Sequence, residues 1–264
     1  LTERTGDVAN HAFALTSLGG IRFLLGDWDD AQTYLEKGRA LVRSRAGSWF
    51  SSYPPLQVGR LDVARGNFDS ASAKLEEALS IAREGNDWQP LILGTCFRAE
   101  MDLLRGDSDA ALERTRAILD RDDLDQDQST VTMAMAYAAW AHLECGNLEE
   151  AERLAQTAVS RLVEEHAIVE LPMARRVAAM IAAARGDFEQ ADLAFGKIVT
   201  DARNIPYPFA EACALYEHGM MFLAQGNGED ARSRLEDALH IFQRLGARPY
   251  IDRTVAALAA VPPE

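Results

Sequence analysis

Long apolar runs are missing from this chain. No stretch approaches the ~20 uninterrupted apolar residues of a membrane-spanning helix, and no basic segment followed by an apolar one opens the sequence. A membrane span and a secretory leader are therefore not expected, and a cytoplasmic location is. Cysteine is scarce: Cys96, Cys145 and Cys213 are an odd number, far apart, with no CxxC pair. That excludes a disulfide framework or a zinc site and fits buried thiols in a reducing compartment. Positive charge is also in short supply, with 27 Lys and Arg against 41 Asp and Glu, a net charge of -14 and a pI near 4.8. Phosphate backbones and anionic lipid surfaces would be repelled, so neither nucleic acid nor membrane is an expected partner.

Catalytic signatures are absent as well. There is no GxSxG, no HExxH, no GxxxxGK[ST] and no glycine-rich dinucleotide fingerprint. The five histidines, His11, His142, His166, His218 and His240, are scattered without ligand spacing. One run, Asp123-Leu124-Asp125-Gln126-Asp127, starts like a calcium loop, but Gln128 and Ala134 stand where such a loop needs glycine and a twelfth-position glutamate. The run reads as a solvated linker with helix-capping aspartates. No metal, no cofactor and no enzyme activity are expected.

What is present is a period. Gly26, Gly66, Gly106, Gly146, Gly186 and Gly226 recur every 40 residues, each followed by Asp or Asn. Gly suits a left-handed helix end, and Asp27, Asn67, Asp107, Asn147, Asp187 and Asn227 are N-cap residues for the next helix. Acidic residues Asp29, Asp69, Asp109, Glu149, Glu189 and Glu229 then fall in its first turn, where they complement the helix dipole. Small residues recur twelve apart on either side of the turn: Gly19 with Ala31, Gly59 with Ala71, Ala99 with Ala111, Ala139 with Ala151, Ala179 with Ala191, Gly219 with Ala231. Two helices packed closely at a crossing need small side chains there. Apolar spacing in both arms is helical, as in Leu18, Ile21, Leu24 and Leu25 or Leu75, Ala78, Leu79 and Ala82. Prolines 54, 55, 90, 172, 206, 208 and 249 mark the boundaries between hairpins, near helix starts, where proline is tolerated.

The spacing predicts an all-α solenoid, one domain over 1–264, of six hairpins at about 8–47, 48–87, 88–127, 128–167, 168–207 and 208–247. A helix over 249–260 would cap the last one. The first residue, Leu1, is not a methionine, which suggests a piece of a longer protein.

With its small-residue columns twelve apart and a large residue after the turn (Trp28, Phe68, Leu148, Phe188), the chain resembles the tetratricopeptide repeat (TPR) family, whose fold is a right-handed α-α superhelix. The usual family period is about 34 residues. The six extra residues, split over two helices, lengthen each by about 4 to 5 Å at 1.5 Å per residue. The usual aromatic column is taken by Arg22, Asp62, Asp102, His142, Ala182 and Phe222. The long-helix variant and the tail Leu239–Arg253 are similar to the repeat regions of MalT/LuxR-type bacterial regulators and ATPase-coupled cyclases.

That resemblance implies a concave groove lined by the first helix of each pair. Three columns map to it: Gly20, Arg60, Glu100, Trp140, Met180, Met220; Thr16, Leu56, Cys96, Ala136, Arg176, Tyr216; and Phe13, Tyr53, Leu93, Met133, Met173, Cys213. The candidate binding residues are Tyr53, Arg60, Glu100, Trp140, Arg176, Tyr216 and Met220. The arginines would hold a carboxylate and the aromatic and methionine side chains would give adaptable apolar contact. For each aromatic, packing within the inner wall is an equal alternative. The expected function is a sensory or scaffolding module of a larger bacterial signalling or transcription-regulatory protein, with a protein or peptide in the groove, or a small effector. The alternative is a structural module that forms homo-oligomers and takes no ligand. An active site in the groove would have to use carboxylates such as Glu100 and Glu217.

Overall fold

The computed structural model describes residues 8–43, 50–121 and 128–262, and every regular element among them is an α-helix. The Asp123–Asp127 run lies outside the described residues. The chain divides into two compact units, Leu1–Met101 and Asp102–Glu264. In the first, α1 (Val8–Leu25) pairs with α2 (Trp28–Arg43) and α3 (Tyr53–Arg65) with α4 (Phe68–Gly85), followed by α5 (Trp88–Arg105), in which the division falls. The second holds α6 (Ser108–Leu119) and the pairs α7 (Gln128–Glu144) with α8 (Leu148–Glu164), α9 (Leu171–Arg185) with α10 (Phe188–Asn204), and α11 (Pro208–Ala224) with α12 (Gly228–Leu245). Helix α13 (Arg248–Ala260) closes it against α12.

The turn inside each period is the same hydrogen-bonded device six times over. Gly26, Gly66, Gly106, Gly146, Gly186 and Gly226 have φ between 75° and 89°, a conformation that only glycine adopts without strain. Each donates its N–H to the carbonyl three residues back, and the next residue donates to the carbonyl five back, as in Gly26 to Phe23 (3.1 Å) and Asp27 to Arg22 (2.9 Å). This is the Schellman pairing, which satisfies two orphan carbonyls at the end of the first helix. The carbonyl of that following residue then accepts the first bond of the next helix, as from Ala31 to Asp27 at 2.9 Å.

Capping by the side chain is rarer than the sequence predicts. Asp107 accepts from the Ala110 N–H and Asn227 from the Asp230 N–H, but Asn67, Asn147 and Asp187 make no such bond. Local competition explains part of this. Asn67 donates its amide to Asp62 (3.3 Å), and the corresponding Asp27 carboxylate is taken by Arg22 (2.7 Å).

The small-residue columns are sites of close approach. A Cβ on Gly219 would lie 2.7 Å from Leu235 Cγ and 3.2 Å from the Ala231 carbonyl oxygen, and Gly19 and Gly59 face Leu35 and Leu75 in the same way. Thus at these three glycines the bulk accommodated is a leucine four residues beyond the alanine column. Gly219→Ala should therefore destabilise by about 1–3 kcal/mol through overpacking, less the ~0.5–1 kcal/mol that alanine contributes inside a helix. Gly20→Ala, which meets nothing within 4 Å, should be neutral or stabilising. Equal melting temperatures for the two variants would contradict this packing.

Candidate functional site: the inner wall of the second unit

First-arm helices α7, α9, α11 and α13 pack in succession beside one another, as do α1 and α3 in the first unit. They form an inner layer, with the second-arm helices behind it. In the second unit this layer carries a connected set of polar side chains. Arg176, on α9, is buried. Its Nη1 donates to Glu217 Oε1 on α11 at 3.0 Å, and its guanidinium lies 4.5 Å from the ring centroid of Trp140 on α7. Trp140 is buried too, and its indole N–H donates to Glu144 one turn along α7 at 3.0 Å. From α13, Arg253 Nη2 donates to the carbonyls of Leu103 (2.9 Å) and Leu104 (3.1 Å). These are carbonyls in the last turn of α5, where a cation is favoured by both hydrogen bonding and the helix dipole.

The electrostatics follow from burial. Glu217 is shielded from water, which lifts its pKa above the ordinary carboxylate value. The Glu144 charge adds to the lift, while Arg176 and Arg253 oppose it. The Tyr216 phenol is pushed up to about 12, chiefly by burial and then by Glu217 beside it. The arrangement is a buried guanidinium paired with a carboxyl, a second guanidinium whose charge also acts on that carboxyl, and a half-buried phenol next to it in sequence.

Each candidate residue can now be placed. Trp140, Arg176 and Tyr216 come together in this cluster. Met220, half-buried on α11, packs instead against Ala231, Leu235, Ala257 and Val261. Tyr53, Arg60 and Glu100 belong to the first unit. Arg60 has its guanidinium 4.5 Å from the Phe23 ring and 5.3 Å from the Phe97 ring. Tyr53 stacks on Phe50 at 4.8 Å and donates its hydroxyl to Gln89. Glu100 is half-buried on α5. Arg176, expected to hold a ligand carboxylate, has that role filled inside the protein by Glu217. Its column is largely core, since Thr16, Leu56, Cys96 and Ala136 are buried as well, and burial raises the Cys96 thiol pKa far above its usual range.

Arg253 was missed at the sequence level. It lies 240 residues after Phe13, so the column of Phe13, Tyr53 and Leu93, carried one period further, falls on it. The signal was present, but in a helix read only as a cap. Glu144 had no column signal; it is placed by its position one turn after Trp140.

Among the described residues no group of three or more His, Cys, Asp or Glu side chains is placed to hold a metal ion, and no helix is long and apolar enough to cross a membrane.

Comparison with known proteins agrees with this architecture. Residues 132–157 and 172–192 match the tetratricopeptide repeat family model. No curated protein is similar enough in sequence to match. Among solved structures, a Rap protein complexed with competence and sporulation factor superposes with a TM-score of 0.67 at 13% identity, over 95% of this chain and 74% of its own. NprR in complex with its cognate peptide NprX gives 0.57 at 13% identity, over 94% of this chain and 82% of its own. A signal transduction ATPase (STAND) protein with a tetratricopeptide repeat sensor, from Pyrococcus horikoshii, gives 0.56 at 16% identity. That match spans 96% of this chain but 38% of the ATPase. At these identities the likeness is one of fold, an all-helical repeat architecture of the tetratricopeptide type, with two segments that match that family's model.

Proposed function

We propose that the chain is a ligand-sensing module without catalytic activity, part of a larger bacterial signal-transduction or transcription-regulatory protein, and that it binds a peptide segment along the inner wall of α7, α9, α11 and α13. The carrying observation is the Trp140–Arg176–Glu217–Tyr216–Arg253 cluster. It ties four helices together behind one wall: Trp140 and Arg176 are buried and held by Glu144 and Glu217, and they back the partly exposed Tyr216 and Arg253, an aromatic and an arginine of the kind enriched at binding hot spots. Two of the fold neighbours, a Rap protein and NprR, are seen complexed with competence and sporulation factor and with a cognate peptide, and a third has a tetratricopeptide repeat sensor.

A peptide display selection against the purified 264-residue chain tests this, with affinities measured by titration calorimetry. The reading expects selected peptides whose Kd rises at least tenfold, about 1.4 kcal/mol, in Tyr216→Ala and in Arg253→Ala, while both variants keep the parent helical content. Failure to select any peptide, or unchanged affinity in both variants, would remove the inner wall as the site.

A further inference from the structure

The hairpin of α9 and α10 holds a cavity of about 270 Å³, and none of its lining residues belongs to the inner-wall cluster. Leu171, Ile198 and Ile205 give it apolar sides, and Ile168, in the loop before α9, lines it while 62% exposed. Arg175 and Asp201 bring charge to this apolar space. A concave, mainly apolar site with a few convergent polar groups is the usual form of a small-molecule site.

The repeat itself shows that the charged pair is not a packing requirement. Arg175 Nη1 donates to Asp201 Oδ2 at 2.9 Å, with side chains 28% and 35% exposed. One period on, the same two positions hold Leu215 and Ile241, and in the first two periods they hold Leu15 with Leu41 and Pro55 with Ile81. Thr95 with Arg121 and Met135 with Arg161 stand there in the remaining two, so no other period has an acid at this place. Apolar residues suffice for the hairpin at these positions, and a half-exposed ion pair adds little stability. What the pair does add is charge beside the cavity.

The sign of that charge is positive. Lys197 Nζ lies 3.5 Å from Asp201 Oδ2, so two cations share one carboxylate, in a chain whose net charge is -14. Arg175 spends one N–H on Asp201, and a guanidinium has five. Glu170 precedes Leu171 but does not line the cavity. The start of α9 and the end of α10 both border it, so their dipole ends, opposite in sign, offset each other and the side chains set the field. At about 30 Å³ for each water-sized atom, the space takes a ligand of about nine non-hydrogen atoms. We propose that this cavity binds a small amphipathic monocarboxylic acid, its apolar body among Leu171, Ile198 and Ile205 and its carboxylate on Arg175 and Lys197.

Heptanoate matches that size and is the probe, titrated into the 264-residue chain with isoleucine methyl groups labelled for NMR. The methyls of Ile168, Ile198 and Ile205 should shift together and saturate. Heptan-1-ol, which lacks the carboxylate, should bind about tenfold more weakly, the worth of one charge-assisted hydrogen bond, and the cation heptylammonium should not bind. Arg175→Leu, the residue found one period later at position 215, should remove the preference for heptanoate and leave the affinity for the alcohol unchanged. Leu171→Trp fills the cavity and should abolish binding of both, and Arg175→Leu carries the test even where that variant unfolds the hairpin. Three results would each overturn the proposal: no saturable shift at the three isoleucines, the alcohol binding as tightly as the acid, or a preference for the acid that survives in Arg175→Leu.

Discussion

Replacing Glu217 with Leu should destabilise the second unit by about 3–5 kcal/mol, the cost of leaving a buried charge without its partner. Replacing Arg176 with Met should cost clearly less at mildly acid pH. The two halves of this ion pair are not equivalent. Arg176 cannot shed its proton, so without Glu217 it remains a buried cation at any working pH. Glu217 can neutralise itself by keeping its proton, and its pKa is already raised by burial and by Glu144. In Arg176→Met the opposing cation is gone, and that pKa rises further.

The pH dependence has a definite sign. Below the ordinary glutamate pKa, position 217 is protonated in both folded and unfolded Arg176→Met, and no ionic cost arises. As pH rises above it, the unfolded chain releases the proton while the native state retains it, so stability falls until the raised folded pKa is passed. Relative to the parent, the cost of Arg176→Met should thus grow as pH rises above the ordinary glutamate range, while that of Glu217→Leu should fall, because the parent's own Glu217 has a raised pKa and the leucine has no proton to release. The double variant should recover most of the loss, since apolar groups can replace a buried pair with little penalty. Urea unfolding of the four proteins at several pH values reads all of this directly. Equal, pH-independent costs for both single variants would mean that the pair is effectively solvated.

The periodic part of the structure was legible because it is local. A glycine followed by Asp or Asn every 40 residues fixes a turn whose hydrogen bonds span six residues, and all six copies form it. The small-residue columns marked the helix crossings, although the contact partner of Gly219 is Leu235, one turn beyond the alanine that the spacing picked out. The inner wall was legible only in part. Column arithmetic brought Trp140, Arg176 and Tyr216 to the right layer, but it cannot say whether a side chain ends in solvent or in a partner on the adjacent helix. For Arg176 that is decided by Glu217, a contact 41 residues away between helices in consecutive periods. The role of Arg253 depends on α13 reaching the end of α5, a separation of 150 residues that no local pattern encodes.

Phe242→Ala should be the other severe change, costing about 3–5 kcal/mol as a large-to-small substitution in a closed core. Phe242 is fully buried at the meeting of three helices. Its ring stacks on Tyr250 of α13 at 4.9 Å, and Phe209 of α11 meets both edge-on, at 6.3 Å from Phe242 and 5.3 Å from Tyr250. The backbone there turns through Gly246 at φ 73°, and Ala247 donates back to the Phe242 carbonyl at 3.0 Å, so this residue anchors both the end of α12 and the start of α13. Truncation should therefore loosen α13 ahead of the rest. Amide protection should fall first across residues 248–260, and the bonds from Arg253 to the Leu103 and Leu104 carbonyls should go with it. Arg253→Met removes only those bonds and the charge, and should cost no more than about 1–2 kcal/mol. If α13 is the element that completes the inner wall, Phe242→Ala should weaken peptide binding as much as Arg253→Ala does, although Phe242 itself faces the core. Uniform loss of protection over the whole second unit would instead mean that α13 unfolds only together with the hairpins it covers.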